Sequence, residues 1–127
     1  MITVLFTKQA NYPVSSPKVK KVLKDFLTEN GIVSDAEVSL ALVGEAKMLE
    51  IGKKYMKDKK LHNVLSFTVE EKAGNFVYPP GKLYLGEIIV CFPKVVEEAK
   101  MENKRIEDKV IELVEHGALH LLGIHHE

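Results

Sequence analysis

The sequence has little cysteine, no tryptophan and no net charge. Its one cysteine, Cys91, excludes an internal disulfide framework and is typical of a reducing compartment. The 18 Lys and Arg residues balance the 18 Asp and Glu residues, so no general attraction to nucleic acid is implied. No apolar run approaches the roughly 20 residues of a membrane span, and residues 1–6 lack the basic start of a signal peptide. We therefore expect a cytoplasmic protein that contacts no membrane.

The overall composition is typical of a globular domain. Hydrophobic residues make up 46% of the 127 residues and charged residues 28%, which excludes a disordered chain. This length suits one compact domain with its own core. Positive charge is concentrated locally, because residues 53–60 hold five lysines and one aspartate. That segment indicates either a solvated helix end and loop or a local patch for phosphate contact.

The hydrophobic pattern predicts the order β-α-β-α-β-β-α-α. Ser16 is the expected N-cap of the first helix, Pro17 suits its first position, and Asn30–Gly31 is its expected stop. Periodicity predicts strands in residues 1–6, 38–44, 64–69 and 83–92, a loop in residues 74–82, and further helices in residues 45–55, 93–99 and 104–122. This order favours an α+β fold in which helices pack on a mixed four-stranded sheet.

Three histidines in residues 116–126 have the spacing of a metal site. His116 and His120 are four residues apart on the last predicted helix, so their side chains leave the same face. They fall along the edge of its apolar stripe, where a metal ion can be held and still be reached by substrate. Gly123 can end this helix with a positive φ angle and bring His126 back toward the other two rings. Three imidazole ligands suit a catalytic zinc ion, which keeps a fourth position for water.

The chemistry of this predicted site is limited by one absence. Zinc proteases of the HExxH type carry a glutamate directly after the first histidine, whereas this sequence has Gly117, which cannot move a proton. Imidazole ligands are also compatible with nickel, cobalt or copper. General-base candidates are therefore the hydroxide of the metal itself, His125 and Glu127.

The histidine segment resembles the HGxLHLxGxDH motif of the YbeY family. The members of this family are bacterial metal-dependent endoribonucleases. The matching positions are His116, Gly117, Leu119, His120, Leu121, Gly123 and His126. Asn63–Phe67 similarly resembles the family's (D/N)VLSF strand, and Leu85–Cys91 resembles its LGDI-type strand. The resemblance covers most of the chain from about residue 40 onward.

The resemblance implies one zinc ion per chain, held by His116, His120 and His126. It implies a single-strand-specific endoribonuclease that acts in rRNA maturation and ribosome quality control. Zinc-activated water would then hydrolyse RNA phosphodiesters in a single metal-dependent hydrolase domain of residues 1–127. The expected partners are single-stranded RNA, an rRNA precursor and the small ribosomal subunit, and no DNA is expected.

Further site residues follow from this interpretation, and the sequence departs from the family near some of them. His125 stands where the family has aspartate, and Met56 follows Tyr55 where the family tends to have arginine. Nearby lysines carry charge but lack the bidentate fork of arginine. The candidate catalytic residues are His125, Glu127 and Ser66, and the candidate substrate-binding residues are Lys57, Lys59, Lys60 and Asn63.

Two other functions stay open at this point. One is a ribosome-associated RNA-binding protein whose zinc is structural, so that metal removal lowers its stability and RNA is bound but not cut. The other is a metallohydrolase that acts on another substrate, such as a peptide or amide bond, although Gly117 disfavours it. Assays of RNA cleavage and peptide cleavage distinguish the three.

Overall fold

The structure is a computed structural model that describes residues 1–71 and 81–123. The strands in these ranges are β1 (Ile2–Lys8), β2 (Ala36–Val43), β3 (Val64–Phe67) and β4 (Leu83–Cys91). The helices are α1 (Ser16–Glu29), α2 (Glu45–Ile51), α3 (Phe92–Met101) and α4 (Ile106–Leu121), and a π-helical turn (Gly52–Met56) directly follows α2. The predicted order of elements is confirmed. Within the described ranges, no helix is long and apolar enough to cross a membrane.

The strands form one sheet in the order β1-β2-β4-β3. Strand β2 pairs in parallel with both β1 and β4, whereas the edge strand β3 runs antiparallel to β4. Helix α1 makes the crossover that the parallel pairing of β1 and β2 requires. The predicted α+β fold with a mixed four-stranded sheet is therefore confirmed.

Alternation along the strands divides the apolar residues between two cores on opposite faces of the sheet. On one face, α1, α3 and α4 cover the larger core, which contains Leu40 of β2 and Ile88 of β4. On the other face, α2 covers a smaller core that contains Met48, Leu65 and Phe67. The sheet is thus fully covered on the α4 side and only partly covered on the α2 side.

The prediction for helix α1 is right at its C-terminus and wrong by one residue at its N-terminus. Ser15, rather than Ser16, is the N-cap, because its hydroxyl accepts a hydrogen bond from the Lys18 amide. Ser16 is instead the first helical residue. The predicted stop is confirmed, since Gly31 has a φ angle of 101° and its amide donates to the Thr28 carbonyl.

The α2 region differs from the single α-helix predicted over residues 45–55. The α-helix ends at Ile51 and continues as the π-helical turn, after which Lys57 has a left-handed φ angle of 54°. Helical spacing also predicts a buried Leu49, but this side chain is 41% exposed. The side chains that pack on the smaller core are instead those of Met48, Ile51 and Tyr55, whereas Gly52 lies against Asp58 and His62.

A buried lysine that the hydrophobic pattern did not predict lies on α4. The Lys109 side chain is 6% exposed, and its Nζ is 3.0 Å from Glu102 Oε2 and 2.6 Å from Glu112 Oε2. Burial alone would lower the pKa of Lys109, but these carboxylates outweigh it and raise the pKa above its usual value. A third carboxylate, Glu98 on α3, is 3.9 Å away. Because a buried charge needs partners, this cluster ties α3 to α4.

Helix α4 approaches the sheet closely at Gly117. A Cβ atom on this residue would lie 2.8 Å from Cγ2 of Ile88 on β4. The neighbouring residues of the same helix face are also buried: Val110, Leu113, Val114, Ala118 and Leu121. The missing side chain of Gly117 therefore sets the distance between α4 and β4.

We expect Gly117→Ala to destabilise the protein. Alanine gains about 1 kcal/mol over glycine inside a helix, whereas overpacking a buried contact costs about 1–3 kcal/mol. The free energy of unfolding, measured by urea denaturation, should fall by about 1 kcal/mol. In the double variant with Ile88→Ala, the added methyl group finds room, so the two losses should be less than additive. Wild-type stability in Gly117→Ala would contradict the close approach.

Candidate functional site

Two of the three predicted metal ligands, His116 and His120, lie on the second half of α4. His116 is exposed and the His120 side chain is 37% exposed, so both rings border the buried stripe. Gly123 follows the helix with a φ angle of 75°, and its amide donates to the His120 carbonyl. The predicted glycine stop after the histidine helix is therefore confirmed.

The other residues of the histidine segment, His125, His126 and Glu127, lie outside the described residues. The third metal ligand and two of the catalytic candidates therefore stay predictions. Within residues 1–71 and 81–123, no three His, Cys, Asp or Glu side chains converge as a metal cluster. The described part supplies two imidazoles one helical turn apart, and this donor chemistry fits zinc.

A carboxylate that the sequence analysis missed contacts His120. Glu71 Oε1 lies 3.0 Å from His120 Nε2. The turn after β3 holds this carboxylate, because the Thr68 amide donates to Glu71 Oε1 and the Glu71 amide donates to Thr68 Oγ1. The hydrogen bond from the Thr68 backbone, aided by His120, holds the pKa of Glu71 below its usual value. The T-x-x-E spacing of residues 68–71 is the sequence signal that points to this reciprocal turn.

Ser66, a candidate catalytic residue, lies on the face of β3 that α4 covers. In the antiparallel register it is opposite Ile88, and directly opposed residues share one face of the sheet. Ile88 is also the residue that meets Gly117. The structure therefore places Ser66 beside the histidine segment of α4, while its catalytic role stays a prediction.

The candidate substrate-binding lysines, Lys57, Lys59 and Lys60, are exposed in the segment between the π-helical turn and β3. Asp58 braces this segment, since its two carboxylate oxygens lie 3.0 and 2.9 Å from His62 Nε2. Both partners are partly buried. The segment is therefore held in place while its lysine side chains face solvent.

The π-helical turn and α4 reach the same end of β3 from opposite faces of the sheet. Tyr55 packs on Phe67 with ring centroids 5.1 Å apart, and Lys54 Nζ lies 5.2 Å from the Tyr55 ring centroid. Phe67 directly precedes the turn whose carboxylate contacts His120. Positive charge from residues 53–60 therefore approaches the end of the sheet at which the histidines lie.

An open groove runs along the sheet face beside α2. Three pockets of about 170, 230 and 230 Å³ adjoin there, and Glu87 lines each of them. Lys54 and Tyr55 line the groove on the α2 side, and Phe67 and Thr68 line it at the end of β3. The groove therefore reaches the turn that holds the Glu71 carboxylate.

Asn63, the fourth candidate for substrate binding, uses both ends of its amide within the protein. Its Nδ2 donates to Glu98 Oε1 at 3.0 Å, and its Oδ1 accepts from the Val64 amide at 2.7 Å. Its backbone carbonyl accepts from the Cys91 amide at 2.9 Å. Asn63 therefore joins the start of β3 to α3 and β4, and a contact with substrate would come in addition to this structural function.

Comparison with known proteins agrees with this arrangement. The family model described as Endoribonuclease YbeY matches residues 6–127. Endoribonuclease YbeY of Moorella thermoacetica is 34% identical over 126 residues, which cover 94% of this chain and 81% of that protein. The protein of the same name from Bartonella quintana is 37% identical over 117 residues, covering 91% of this chain and 70% of its own.

The fold is also similar to the solution structure of a protein from Thermotoga maritima. The TM-score is 0.60 at 28% sequence identity, and the match covers 98% of this chain and 75% of that one. The family model and both relatives name one class of nuclease, and the structural match extends over nearly the whole chain. The chain belongs to the endoribonuclease YbeY family. The resemblance drawn from the histidine and VLSF motifs is therefore confirmed.

We expect Asn63→Ala to destabilise the protein, because it leaves partly buried hydrogen-bonding groups of Glu98 and Val64 without their partner. The loss in free energy of unfolding should be about 1–3 kcal/mol, measured by urea denaturation. Lys59→Ala, at an exposed position nearby, is the control and should change stability by less than about 0.5 kcal/mol. Wild-type stability in Asn63→Ala together with weaker RNA binding would instead support a direct substrate contact.

Proposed function

We propose that the protein is a single-strand-specific metallo-endoribonuclease that processes rRNA precursors in the cytoplasm. Family membership supports the nuclease activity and its RNA substrate. The observation that carries the metal dependence is the pair His116 and His120, one turn apart on the exposed edge of α4. We further infer that residues 1–127 act as one hydrolase domain, with the small ribosomal subunit as partner and a role in ribosome quality control.

The residues that would hold one zinc ion are His116, His120 and, from the segment beyond the described residues, His126. Neutral imidazoles at a partly exposed helix edge suit a zinc site that substrate can reach. When bound, zinc supplies Lewis acidity toward a phosphoryl oxygen and lowers the pKa of a water molecule.

The chain's own residues would bind and orient the RNA around these histidines. The exposed ammonium groups of Lys57, Lys59 and Lys60 attract the phosphate backbone. Tyr55, which lines the groove beside α2, offers a ring on which a base can stack. The Ser66 hydroxyl, on the α4 face of β3, can donate a hydrogen bond to a phosphoryl oxygen.

Proton transfer is assigned to residues of the histidine segment. We propose His125 and Glu127 as the groups that accept and return the proton, because an imidazole and a carboxylate are suited to general acid–base catalysis. Gly117 has no side chain for this purpose, and the packing against Ile88 leaves no room for one. A base at that position, as in HExxH proteases, is thereby excluded.

We expect zinc-loaded protein to cut single-stranded RNA of rRNA sequence and to leave the same RNA intact in a duplex. His120→Ala should lower zinc affinity and the cleavage rate by at least about 100-fold, because it removes an imidazole ligand. Cleavage is followed on labelled RNA, and zinc content is measured on each sample. His62→Ala, which removes a histidine paired with Asp58 instead, should keep its zinc once folding is verified by thermal melting.

The two other functions give different results in the same experiment. RNA that is bound but stays intact at full zinc occupancy would contradict the nuclease and support an RNA-binding protein with structural zinc. Cleavage of a peptide or amide substrate without cleavage of RNA would support another metallohydrolase. Equal RNA cleavage by wild type and His120→Ala would indicate a contaminating nuclease, because the variant lacks a proposed zinc ligand. It would therefore contradict the proposed activity.

Replacing Lys57, Lys59 and Lys60 together by alanine should weaken RNA binding and its dependence on salt. Each lost phosphate contact lowers the slope of log affinity against log salt by about 1, so the slope should fall by up to about 3. A matched control replaces Lys20, Lys21 and Lys24 on α1, which lies on the opposite face of the sheet from α2. Equal losses in both triple variants would indicate a non-specific effect of net charge.

A further inference from the structure

We propose that Asp58 and His62 are positioning residues that hold the RNA-contacting lysines in place. The proposal rests on the proposed function, in which Lys57, Lys59 and Lys60 attract the phosphate backbone. Its starting observation is that His62 Nε2 lies 3.0 and 2.9 Å from the two carboxylate oxygens of Asp58. This Asp58/His62 pair encloses two of the three lysines, and the third directly precedes it in the chain.

The Asp58/His62 pair leaves the charge of the lysines available to RNA. Asp58 is the one acidic residue among the five lysines of residues 53–60. A carboxylate in such a segment can pair with a lysine and cancel charge that attracts phosphate. Within residues 1–71 and 81–123, the Asp58 carboxylate pairs instead with His62, and no ion pair involves any of the three RNA-contacting lysines. Their ammonium groups are therefore free to contact phosphate.

The Asp58 carboxylate also fixes the backbone from which these lysines extend. Its Oδ1 accepts a hydrogen bond from the Lys60 amide at 3.3 Å, which is how an aspartate side chain stabilises a turn two residues further on. Lys57, at the entry to this turn, has a left-handed φ angle of 54°. A residue with a side chain keeps this conformation only where surrounding contacts hold it. The Asp58 carboxylate, itself fixed by His62, supplies such contacts.

The Asp58/His62 pair joins the lysine segment to the rest of the fold. A Cβ atom on Gly52 would lie 3.3 Å from both Asp58 Oδ1 and His62 Cδ2, so the pair packs against the first residue of the π-helical turn. His62 is followed directly by Asn63, whose amide is bonded to α3. The segment is thus ordered before RNA arrives, and its lysines lose less conformational freedom when they bind.

A charge effect and a positioning effect predict opposite results when Asp58 is replaced. Removal of a negative charge from a lysine-rich segment strengthens its attraction to phosphate. Electrostatics alone therefore predicts tighter RNA binding by Asp58→Ala. Loss of the Asp58/His62 pair instead releases lysines that RNA must then order, which predicts weaker binding. The sign of the change in affinity decides between the two effects.

The test compares KM for labelled single-stranded RNA between the zinc-loaded, full-length wild type, Asp58→Ala, Asp58→Asn and His62→Ala. Asparagine loses the same charge as alanine would, but it keeps an oxygen that accepts from the Lys60 amide and from His62. Asp25→Ala, at the exposed pair with Lys21 on α1, is the control for charge. Zinc content and thermal melting are measured on each protein. Fluorescence anisotropy gives the affinity directly if the RNA stays intact.

We expect Asp58→Ala and His62→Ala to raise KM by about 5-fold or more, with kcat and zinc content nearly unchanged. Asp58→Asn and Asp25→Ala should stay within about 2-fold of the wild type. In the variant that lacks Lys57, Lys59 and Lys60, Asp58→Ala should have no further effect, because the Asp58/His62 pair acts through those lysines.

A KM at or below the wild-type value in Asp58→Ala would overturn the proposal. So would an equal rise in KM when the three lysines are already absent, because Asp58 would then act through other residues. A wild-type KM in the triple-lysine variant would overturn both this proposal and the phosphate contacts of the proposed function. RNA that is bound but not cut would overturn the nuclease activity alone, and the anisotropy measurements would then decide this proposal.

Discussion

The contact between Gly117 and Ile88 is the constraint on which the site depends. With no side chain on Gly117, α4 lies directly against β4, and His116 and His120 on either side of that glycine are brought to the edge of the sheet. The same residue occupies the position of the general base in HExxH proteases. The absence of a base there is thus a packing requirement of this fold as well as a chemical difference.

Much of the fold could be predicted because its signals are local. Positive φ angles at Gly31 and Gly123 favour glycine, so both helix stops were visible in the sequence. The exposure of Leu49 was not, because helical periodicity does not show which edge of the apolar stripe meets the sheet. The burial of Lys109 was also missed, since lysine counts as a surface residue until its carboxylate partners on neighbouring elements are known.

The candidate site also has features that the sequence predicts and features that only the folded chain reveals. Four-residue spacing on one helix predicts that His116 and His120 share a face, and no tertiary information is needed. Glu71 reaches His120 only because β3 pairs with β4 beneath α4, so spacing along the chain could not reveal the contact. Asn63 stays a candidate for substrate binding, and it also serves partners on other elements that only the folded chain brings near it.

The position of α4 after all four strands has a consequence for synthesis on the ribosome. Chains emerge from the amino terminus at about 5–20 residues per second, so β1 to β4 leave the ribosome before α4 does. Until α4 follows, Ile88 and Val90 have no cover from that helix, although both are fully buried in the finished protein. A nascent chain therefore carries an incomplete core and no assembled histidine pair. Completion of the core and assembly of the histidine pair therefore coincide.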